Sequence, residues 1–500
     1  VMNKYIKIFT IGILGIYLTS CSKFLDKDPL DQLSSPTFWS NQGEVDMALA
    51  GVYARILSST FDHNTMFWDV LGGDVCANQG SGVVALGQGL IEPTSGSIVS
   101  SVYNECYRGI SACNFFLENV DRAPVPDNIK TQYKGEVLFL RAMFYFTLSE
   151  FYGGVPLHTT LVTIAESKVK QSTKAEVVTQ ILADLETAIS SLPNTAYNGH
   201  AVRGSALALK AKVLLHNEQW SPAAEAANLV IQEGKFDLFN NYRTLFLATG
   251  QSGNPEILMS ARYLNPDRSA GGPDIQFAWH GTINPRVELV DDYECTDGLP
   301  ITTSPLYNSA NWRLNRDPRL LMTVKAFEDK VINSAGVEMG FNYNAQSGTG
   351  FEPVKGLNWD ALPVDYSTLS EQDWILLRYS EVLLIYAEAK NEASGPDQSI
   401  YDAINEVRAR PGVNMPPIPT GLSQPQMRER IRHERRVEFG LEGKRYWDIK
   451  RWKTAETYIP TLVDPGGNQR VFDATKHYLF PFPQSEMDVN ENLVQNPNYN

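Results

Sequence analysis

The stretch from Ala201 to Gly234 constrains the fold of this chain more than any other. It consists of two alanine-rich helical patterns, 201–216 and 222–233, separated by a short turn. Ser221 and Pro222 are typical of a helix N-cap and first turn, and Gly234 is typical of a helix end. A chain with such a segment must bury small-residue helix faces against each other, so we predict a mainly all-α fold.

The pair fills 34 positions, and its length and alanine content resemble a tetratricopeptide repeat. Small residues in that repeat allow two helices to pack closely. A second, weaker candidate pair is 374–392 with 399–410. We therefore predict a scaffold of tetratricopeptide-like helix pairs.

Further helices are predicted on both sides of the first pair. Apolar residues recur at helical spacing from Val137 to Phe151, and the pattern stops at Gly153. Thr173 and Glu176 have the spacing of a capping box. The stretches 41–57 and 427–453 also have helical patterns.

Two long regions lack helical periodicity. They are 58–97, which is rich in glycine, and 250–371, which is rich in Gly, Pro, Asn and Asp and has short strand patterns such as 321–326. Long irregular segments inside a folded domain usually carry function. We predict one domain over 21–500, with an N-terminal helical part to 249, a loop-rich insertion at 250–371, and a C-terminal helical part with an extended tail from 372.

The N-terminal edge is typical of an exported protein. Lys4 and Lys7 precede an apolar run at 8–18 that is too short to span a bilayer, so 1–20 reads as a signal peptide. The ending Leu18-Thr19-Ser20-Cys21 resembles the bacterial lipoprotein box, which predicts acylation of Cys21 and a lasting membrane tether. An ordinary signal peptide or a buried helix is the alternative. The leader 23–39 is predicted to lie along the body as a strap.

Charge and cysteine content exclude several classes of protein. The net charge is −14 and becomes −16 when Lys4 and Lys7 leave with the signal peptide, which disfavours nucleic acid as a partner. The remaining cysteines form no C-x-x-C pair and have no histidine at zinc-finger spacing. We predict four buried thiols and no metal centre: Cys76, Cys106, Cys113 and Cys295.

Catalytic motifs are absent or weak. There is no phosphate-binding loop, dinucleotide-binding loop or nucleophile elbow, and Val437 stands where H-E-x-x-H requires its second histidine. Glu434 and Glu438 share one helical face with apolar residues, so we predict a buried ion-pair lattice in which Arg435, Arg445 or Arg451 neutralises them. Catalysis by these carboxylates is the alternative.

Several motifs in a fixed order identify the chain as a member of a known family: it resembles the SusD/RagB-like outer-membrane lipoproteins of Bacteroidetes from Cys21 to Asn500. The residues that carry the resemblance are 21–26 (CSKFLD), 139–142 (FLRA), 151–157 (FYGGVPL), 206–215 (ALALKAKVLL), 316–320 (RDPRL), 378–384 (RYSEVLL), 433–448 (HERR to GKRYWD), 478–483 (YLFPFP) and 495–497 (QNP).

The resemblance implies a nutrient-binding protein, usually for a glycan, with no catalytic activity and no cofactor. It also implies a partner, a SusC-like TonB-dependent barrel in the outer membrane that the lipoprotein covers as a lid. Two other functions remain open: a lipid-anchored glycan hydrolase, and a peptide-binding or scaffolding repeat protein.

Ligand-binding residues are predicted in the two irregular regions. Sugar rings pack their C–H faces on aromatic side chains, and their hydroxyls need short polar partners. Packing in a loop core is the alternative for each aromatic residue, and a turn role is the alternative for the polar ones. The candidates are Trp68, Asp74 and Asn78 in the first region, and Trp279, His280, Tyr307 and Trp312 in the second.

Overall fold

A computed structural model describes residues 38–78, 82–269, 272–341 and 348–499. Cys21 and the strap up to residue 37 lie outside the described residues. The α-helices are α1 Gln42–Tyr53, α2 Trp68–Gly72, α3 Val84–Gly87, α4 Ser97–Asn119, α5 Asp127–Tyr152, α6 Lys174–Ser191, α7 Arg203–His216, α8 Trp220–Glu233, α9 Ala248–Gln251, α10 Gly272–Ala278, α11 Val287–Asp292, α12 Arg319–Thr323, α13 Tyr379–Ser394, α14 Gln398–Arg408, α15 Gln424–Phe439, α16 Arg445–Arg451, α17 Ala455–Tyr458 and α18 Gln484–Val489.

Strands are few and short. They form four two-stranded antiparallel pairs: β1 Val75–Ala77 with β3 Ile283–Pro285, β2 Ile257–Ala261 with β8 Trp374–Arg378, β4 Val324–Ala326 with β7 Phe351–Pro353, and β5 Val331–Ile332 with β6 Glu338–Met339. Short 3-10 turns occur at Ala54–Ile56, His63–Phe67, Val120–Arg122, Thr244–Phe246, Ser309–Asn311, Trp359–Ala361 and Ile459–Thr461.

The long helices pack as an array of neighbours. Each of α4 to α7 contacts the next helix along the chain, and α8 then contacts α13, which also contacts α14 and α15. Two local signals act as predicted: Thr173 and Glu176 form a capping box, and Gly234 ends α8 with φ 60°. Ser221 is not the N-cap, because α8 begins one residue earlier, at Trp220. The mainly helical, tetratricopeptide-like scaffold is confirmed.

At the end of the insertion between α8 and α13, one stretch that is predicted to be helical forms a strand. The second helix pair was predicted to begin at Trp374, but Trp374–Arg378 is strand β8, and helix α13 begins at Tyr379. The apolar run pairs with β2, with Ile257 opposite Arg378 and Ala261 opposite Trp374. Tertiary pairing therefore overrides the helical spacing at the point where the insertion returns to the scaffold.

One hydrophobic core runs through the scaffold, from Phe38 to Tyr499. The four cysteines at 76, 106, 113 and 295 are buried free thiols, as predicted. The extended tail packs into this core: Phe480 and Phe482 are fully buried, and the Asn496 amide donates to the backbone oxygens of Tyr152 and Phe480 at 3.0 and 2.7 Å. None of the described helices is long and apolar enough to cross a bilayer.

The buried ion-pair lattice exists, but its arginines come from other segments than predicted. Glu434 accepts from Arg319 at 2.6 Å and from Arg408 at 2.7 Å. Glu438 accepts from Arg319, Arg378 and Arg410 at 2.6 to 2.9 Å.

The predicted cations Arg435 and Arg451 bind Asp448 instead, and Arg445 lies 3.8 Å from Asp74. For Arg435 helix geometry explains the difference, because it is one residue from Glu434 on α15 and therefore points to another face of the helix.

Candidate functional site

A cleft of about 190 Å³ lies at the edge of the β1–β3 pair. Cys76 on β1 and Asn284 on β3 stand opposite each other in register, and both line the cleft. Amide side chains dominate its polar lining: Asn78, Gln88, Asn284 and Asn468. A carboxamide presents an acceptor oxygen and two N–H donors, so this lining offers both kinds of hydrogen-bonding partner to a ligand rich in hydroxyl groups.

One carboxylate, Asp464, lies on the far wall of the cleft. It begins a tight turn in which the amides of Gly466 and Gly467 both donate to its backbone oxygen at 2.9 Å. Its Oδ1 atom accepts from Arg286 at 3.0 Å and from Arg470 at 2.8 Å. Among the described residues no hydrogen bond reaches Oδ2, and the side chain is 13% exposed. The carboxylate is therefore fixed by two cations and still presents a free acceptor.

The thiol of Cys76 takes part in the same network. Its sulfur lies 3.4 Å from Asp464 Oδ1 and accepts from Arg286 Nη1 at 3.0 Å. Burial raises the pKa of the thiol to about 11, so it stays protonated at neutral pH. Within the described part of the chain no group of three or more His, Cys, Asp or Glu side chains could hold a metal ion.

An aromatic cluster stands beside the cleft. The Asn78 side chain donates to the backbone oxygen of Gly281 at 3.3 Å, which places it next to Trp279 and His280. The Tyr366 ring lies 6.1 Å from the Trp279 ring and 5.3 Å from the His280 ring, both edge to face. Tyr366 is 71% exposed, while Trp279 and His280 are half-buried. The cluster therefore presents an aromatic surface to solvent.

The other two predicted aromatics form a second group. Trp312 packs edge to face on Phe351 at 5.4 Å and lies under the Arg313 guanidinium at 4.7 Å. Tyr307 lies 5.6 Å from the Arg316 guanidinium. Phe351 is in β7, where its neighbour Glu352 accepts from Asn284 of the cleft at 3.4 Å. This group is thus linked to the cleft through β7, and both rings are half-buried.

Burial corrects the assignment of two predicted ligand residues, neither of which lines the cleft at the β1–β3 pair. Trp68 is buried in the core, 5.2 Å from the Phe151 ring and 5.0 Å from the Trp447 ring. Asp74 is 1% exposed and accepts two hydrogen bonds from Arg436 at 3.0 and 2.7 Å. Trp68 is a core residue and Asp74 an internal anchor, because the segment around them supports β1 from below.

Several residues that line the cleft are not predicted from the sequence. Asp464 and Asn468 lie in the C-terminal part, outside the two irregular regions in which ligand-binding residues are predicted. Gln88 follows the short helix α3. The Asp-Pro-Gly-Gly-Asn run at 464–468 is a turn signal that could have drawn attention to this loop. Tyr366 carried no such signal, since tyrosines are common throughout the insertion.

Two family models match the chain. Residues 251–499 match the model described as the SusD family, and residues 23–215 match the model described as starch-binding associating with outer membrane. The chain belongs to the SusD family, as its motifs predict.

Individual relatives are similar to this chain over nearly its full length. The SusD-like protein P2 of Formosa agariphila is 28% identical over all of both chains. A SusD-like carbohydrate binding protein of Bacteroides fragilis has a solved structure that is 26% identical, with a TM-score of 0.81 over 92% of this chain and 100% of that one. A laminarin binding SusD-like protein, 24% identical, shares the fold with a TM-score of 0.70 over 92% of this chain and 100% of that one.

Proposed function

We propose that this protein binds an oligosaccharide at the cleft between β1, β3 and the 464–468 turn, and delivers it to a SusC-like TonB-dependent barrel in the outer membrane. The observation that carries the proposal is the pairing of amide-lined walls with the exposed Tyr366, Trp279 and His280 cluster. A sugar needs both features, because its hydroxyls form hydrogen bonds while its C–H faces pack on aromatic rings. The carbohydrate binding relative of the same fold supports this reading.

The test is direct binding measured on purified protein. A glycan array identifies a ligand, and calorimetry then compares the wild-type protein with Asn78→Ala, which removes one amide from the cleft wall. We expect a loss of affinity of about tenfold, the cost of a hydrogen bond to a buried polar ligand group. Asn194→Ala, an exposed asparagine before α7, is the matched control. Equal affinities in the two variants would reject this cleft as the site.

A glycan hydrolase is the competing function, and the cleft argues against it. Hydrolysis of a glycosidic bond generally uses two carboxyl groups, about 5 to 9.5 Å apart. Asp464 is the one carboxylate among the described residues that line this cleft, and two arginines already neutralise it. If purified protein releases products from its glycan and Asp464→Asn abolishes that turnover, the binding function is wrong.

The tether to the membrane is a separate part of the proposal, and it rests on Cys21. Replacing Cys21 with Ala removes the acylation site, so we expect the protein to be released from the membrane fraction while its glycan affinity stays unchanged. The same preparation tests the partner, because a barrel transporter should co-purify with the anchored protein from detergent-solubilised outer membranes. An affinity lost in the Cys21→Ala variant would mean that the leader contributes to the binding site.

A further inference from the structure

A second and larger cleft, of about 380 Å³, lies elsewhere on the molecule. Its floor is helix α4, and its side walls are the segment 156–168 and helix α18. None of its lining residues belongs to the proposed glycan cleft, the cleft at the β1–β3 pair. Tyr107 and Ser111 face it from the floor, Leu161 and Lys168 from one wall, and Glu486 from the other. It is therefore a site that the proposed function does not use.

Apolar side chains on the rim of this cleft are exposed to an unusual degree. Leu161 and Val162 are each 39% exposed, and Val489 is 58% exposed. The two walls are tied together, since the Asn490 amide donates to the backbone oxygen of Val169 at 2.9 Å. Grouped aliphatic side chains around a formed groove are typical of a surface that another polypeptide segment covers.

Three charged side chains that line this cleft have no partner among the described residues. Among the described residues, no ion pair or side-chain hydrogen bond engages Arg108, Lys168 or Glu486, although all three line it. Burial raises the pKa of Glu486, as expected for a carboxyl group that has lost part of its contact with water. A segment that fits must therefore bring apolar groups together with charges of both signs.

The described chain begins next to this cleft. Trp39 is 3% exposed and packs on Phe115 and Phe116 of α4, with ring centroids 6.1 and 5.5 Å apart. Arg108, Ser111 and Phe115 are spaced at i, i+3 and i+7, so they form one stripe of α4. Along the helix axis, Arg108 is about 10 Å from Phe115. Trp39, near the start of the described residues, thus packs on a ring that lies in line with Arg108 and Ser111 of the cleft floor.

We propose that the leader of this same chain, residues 23–33, occupies the cleft. The leader has the required composition, with apolar Phe24, Leu25, Leu30 and Leu33 among lysines and aspartates. Phe24 and Phe38 are fourteen positions apart, which allows a span of up to about 46 Å when extended, more than the length of the cleft floor. The acylated Cys21 then lies two residues from the edge of the cleft, which would fix the side of the protein that faces the membrane.

The test measures access to the leader in the intact chain, purified in detergent. Trypsin can cut after Lys23 and Lys27, and mass spectrometry gives the rate at each site. Ser111→Trp fills the cleft from an exposed position of its floor, so we expect cleavage to accelerate at least tenfold. Ser111→Ala leaves the cleft open, and Glu225→Trp adds the same bulk on the exposed face of α8. Both controls should keep the wild-type rate.

A photo-crosslinking residue at position 24 gives the second readout. Crosslinks to peptides that contain Tyr107, Ser111 or Glu486 of the same molecule support the proposal. Equal cleavage rates in wild type and Ser111→Trp overturn it, and so do crosslinks to another surface or to a second copy. Glycan affinity should not change in Ser111→Trp, so a failure here is distinct from a failure of the proposed function.

Discussion

The lattice around α15 and the glycan cleft are built from the same chemical groups and differ in how fully those groups are used. In the lattice, Glu438 is fully buried, and both of its oxygens accept from arginines that are themselves buried. In the cleft, Asp464 bonds to the described residues through Oδ1 alone and keeps part of its surface open to solvent. An arginine beside a carboxylate is therefore a structural element in one region and part of the proposed binding surface in the other.

The difference has an energetic meaning. A buried carboxylate that loses its cations is left in a medium that cannot solvate it, whereas a carboxylate at a cleft wall can exchange a protein partner for water or ligand. Saturation of hydrogen bonds holds the segments that carry the four arginines of the lattice in one arrangement. Incomplete saturation leaves the cleft able to bind a ligand.

The largest expected effect comes from removing a saturated carboxylate. Glu438→Ala leaves Arg319, Arg378 and Arg410 buried without their shared partner, so we expect a loss of about 3 to 5 kcal/mol in the free energy of unfolding. Glu429→Ala, on the same helix, removes a side chain that is 72% exposed and should cost less than about 1 kcal/mol. Denaturant titration of both variants decides the matter. Similar losses would mean that the lattice is not the stabilising element.

Low pH should also lower the free energy of unfolding, by weakening the ion pairs that Asp448 makes. Burial alone would raise the pKa of Asp448, but Arg435 and Arg451 outweigh it and lower that pKa to about 2. Its stabilising contribution is therefore complete above about pH 4 and is lost as the pH falls toward 2, by about 2 kcal/mol. The unfolding free energy, measured from pH 6 to pH 2, should fall less steeply in Asp448→Asn. Asp402→Asn, an exposed aspartate of α14, should keep the wild-type slope, and two parallel curves for wild type and Asp448→Asn would contradict the argument.

On the cleft side, the largest effect is expected from the exposed ring. Tyr366→Ala removes the aromatic surface beside Trp279 and His280, so glycan affinity should drop by about 1 to 1.5 kcal/mol, roughly tenfold. Tyr366→Phe keeps the ring and should keep most of the affinity. Neither change should alter the thermal midpoint, because the side chain is 71% exposed. A stability loss without an affinity loss would place Tyr366 with the structural residues.

The smallest effect is expected at the edge of the cleft. Gln88→Ala removes a half-buried amide from the cleft wall, and we expect calorimetry to show a few-fold loss of glycan affinity, in line with about 0.5 to 1 kcal/mol for one partly solvated hydrogen bond. Gln398→Ala removes the same group from the exposed start of α14. An unchanged affinity in Gln88→Ala would confine recognition to the asparagines and the aromatic cluster.

The scaffold was readable from the sequence because its signals are local. Helical spacing, the capping box at Thr173 and the glycine at 234 each act within a few residues, and the structure has helices there. The prediction failed at Trp374 because a strand partner 113 residues earlier in the chain, Ala261, decides the conformation. It likewise misassigned the lattice cations, since Arg319 and Glu438 meet only through the tertiary fold.

The candidate site could be predicted from the sequence only in part, because its arrangement depends on tertiary contacts and not on local signals. Tryptophan in a glycine-rich loop suits a binding surface and a loop core equally well, and Trp68 proved to be core. Asn78 lies on the cleft wall, and Trp279 and His280 stand beside it. Nothing in the sequence joins these three residues to Asp464 or Asn468, which come much later in the chain. Composition could indicate the kind of residue that binds a sugar, whereas the position of each residue depends on contacts between distant segments.

The buried tail has a consequence for the order in which the protein can form. Phe480 and Phe482 fill space against Phe151 and Tyr152 of α5, so the helical core stays open until residues beyond 478 have been synthesised. The first half of the chain must wait through most of translation, with aromatic surface uncovered. Such a protein is expected to depend on chaperones that hold it unfolded, and its late closure would suit a chain that has to be threaded through a membrane before it folds.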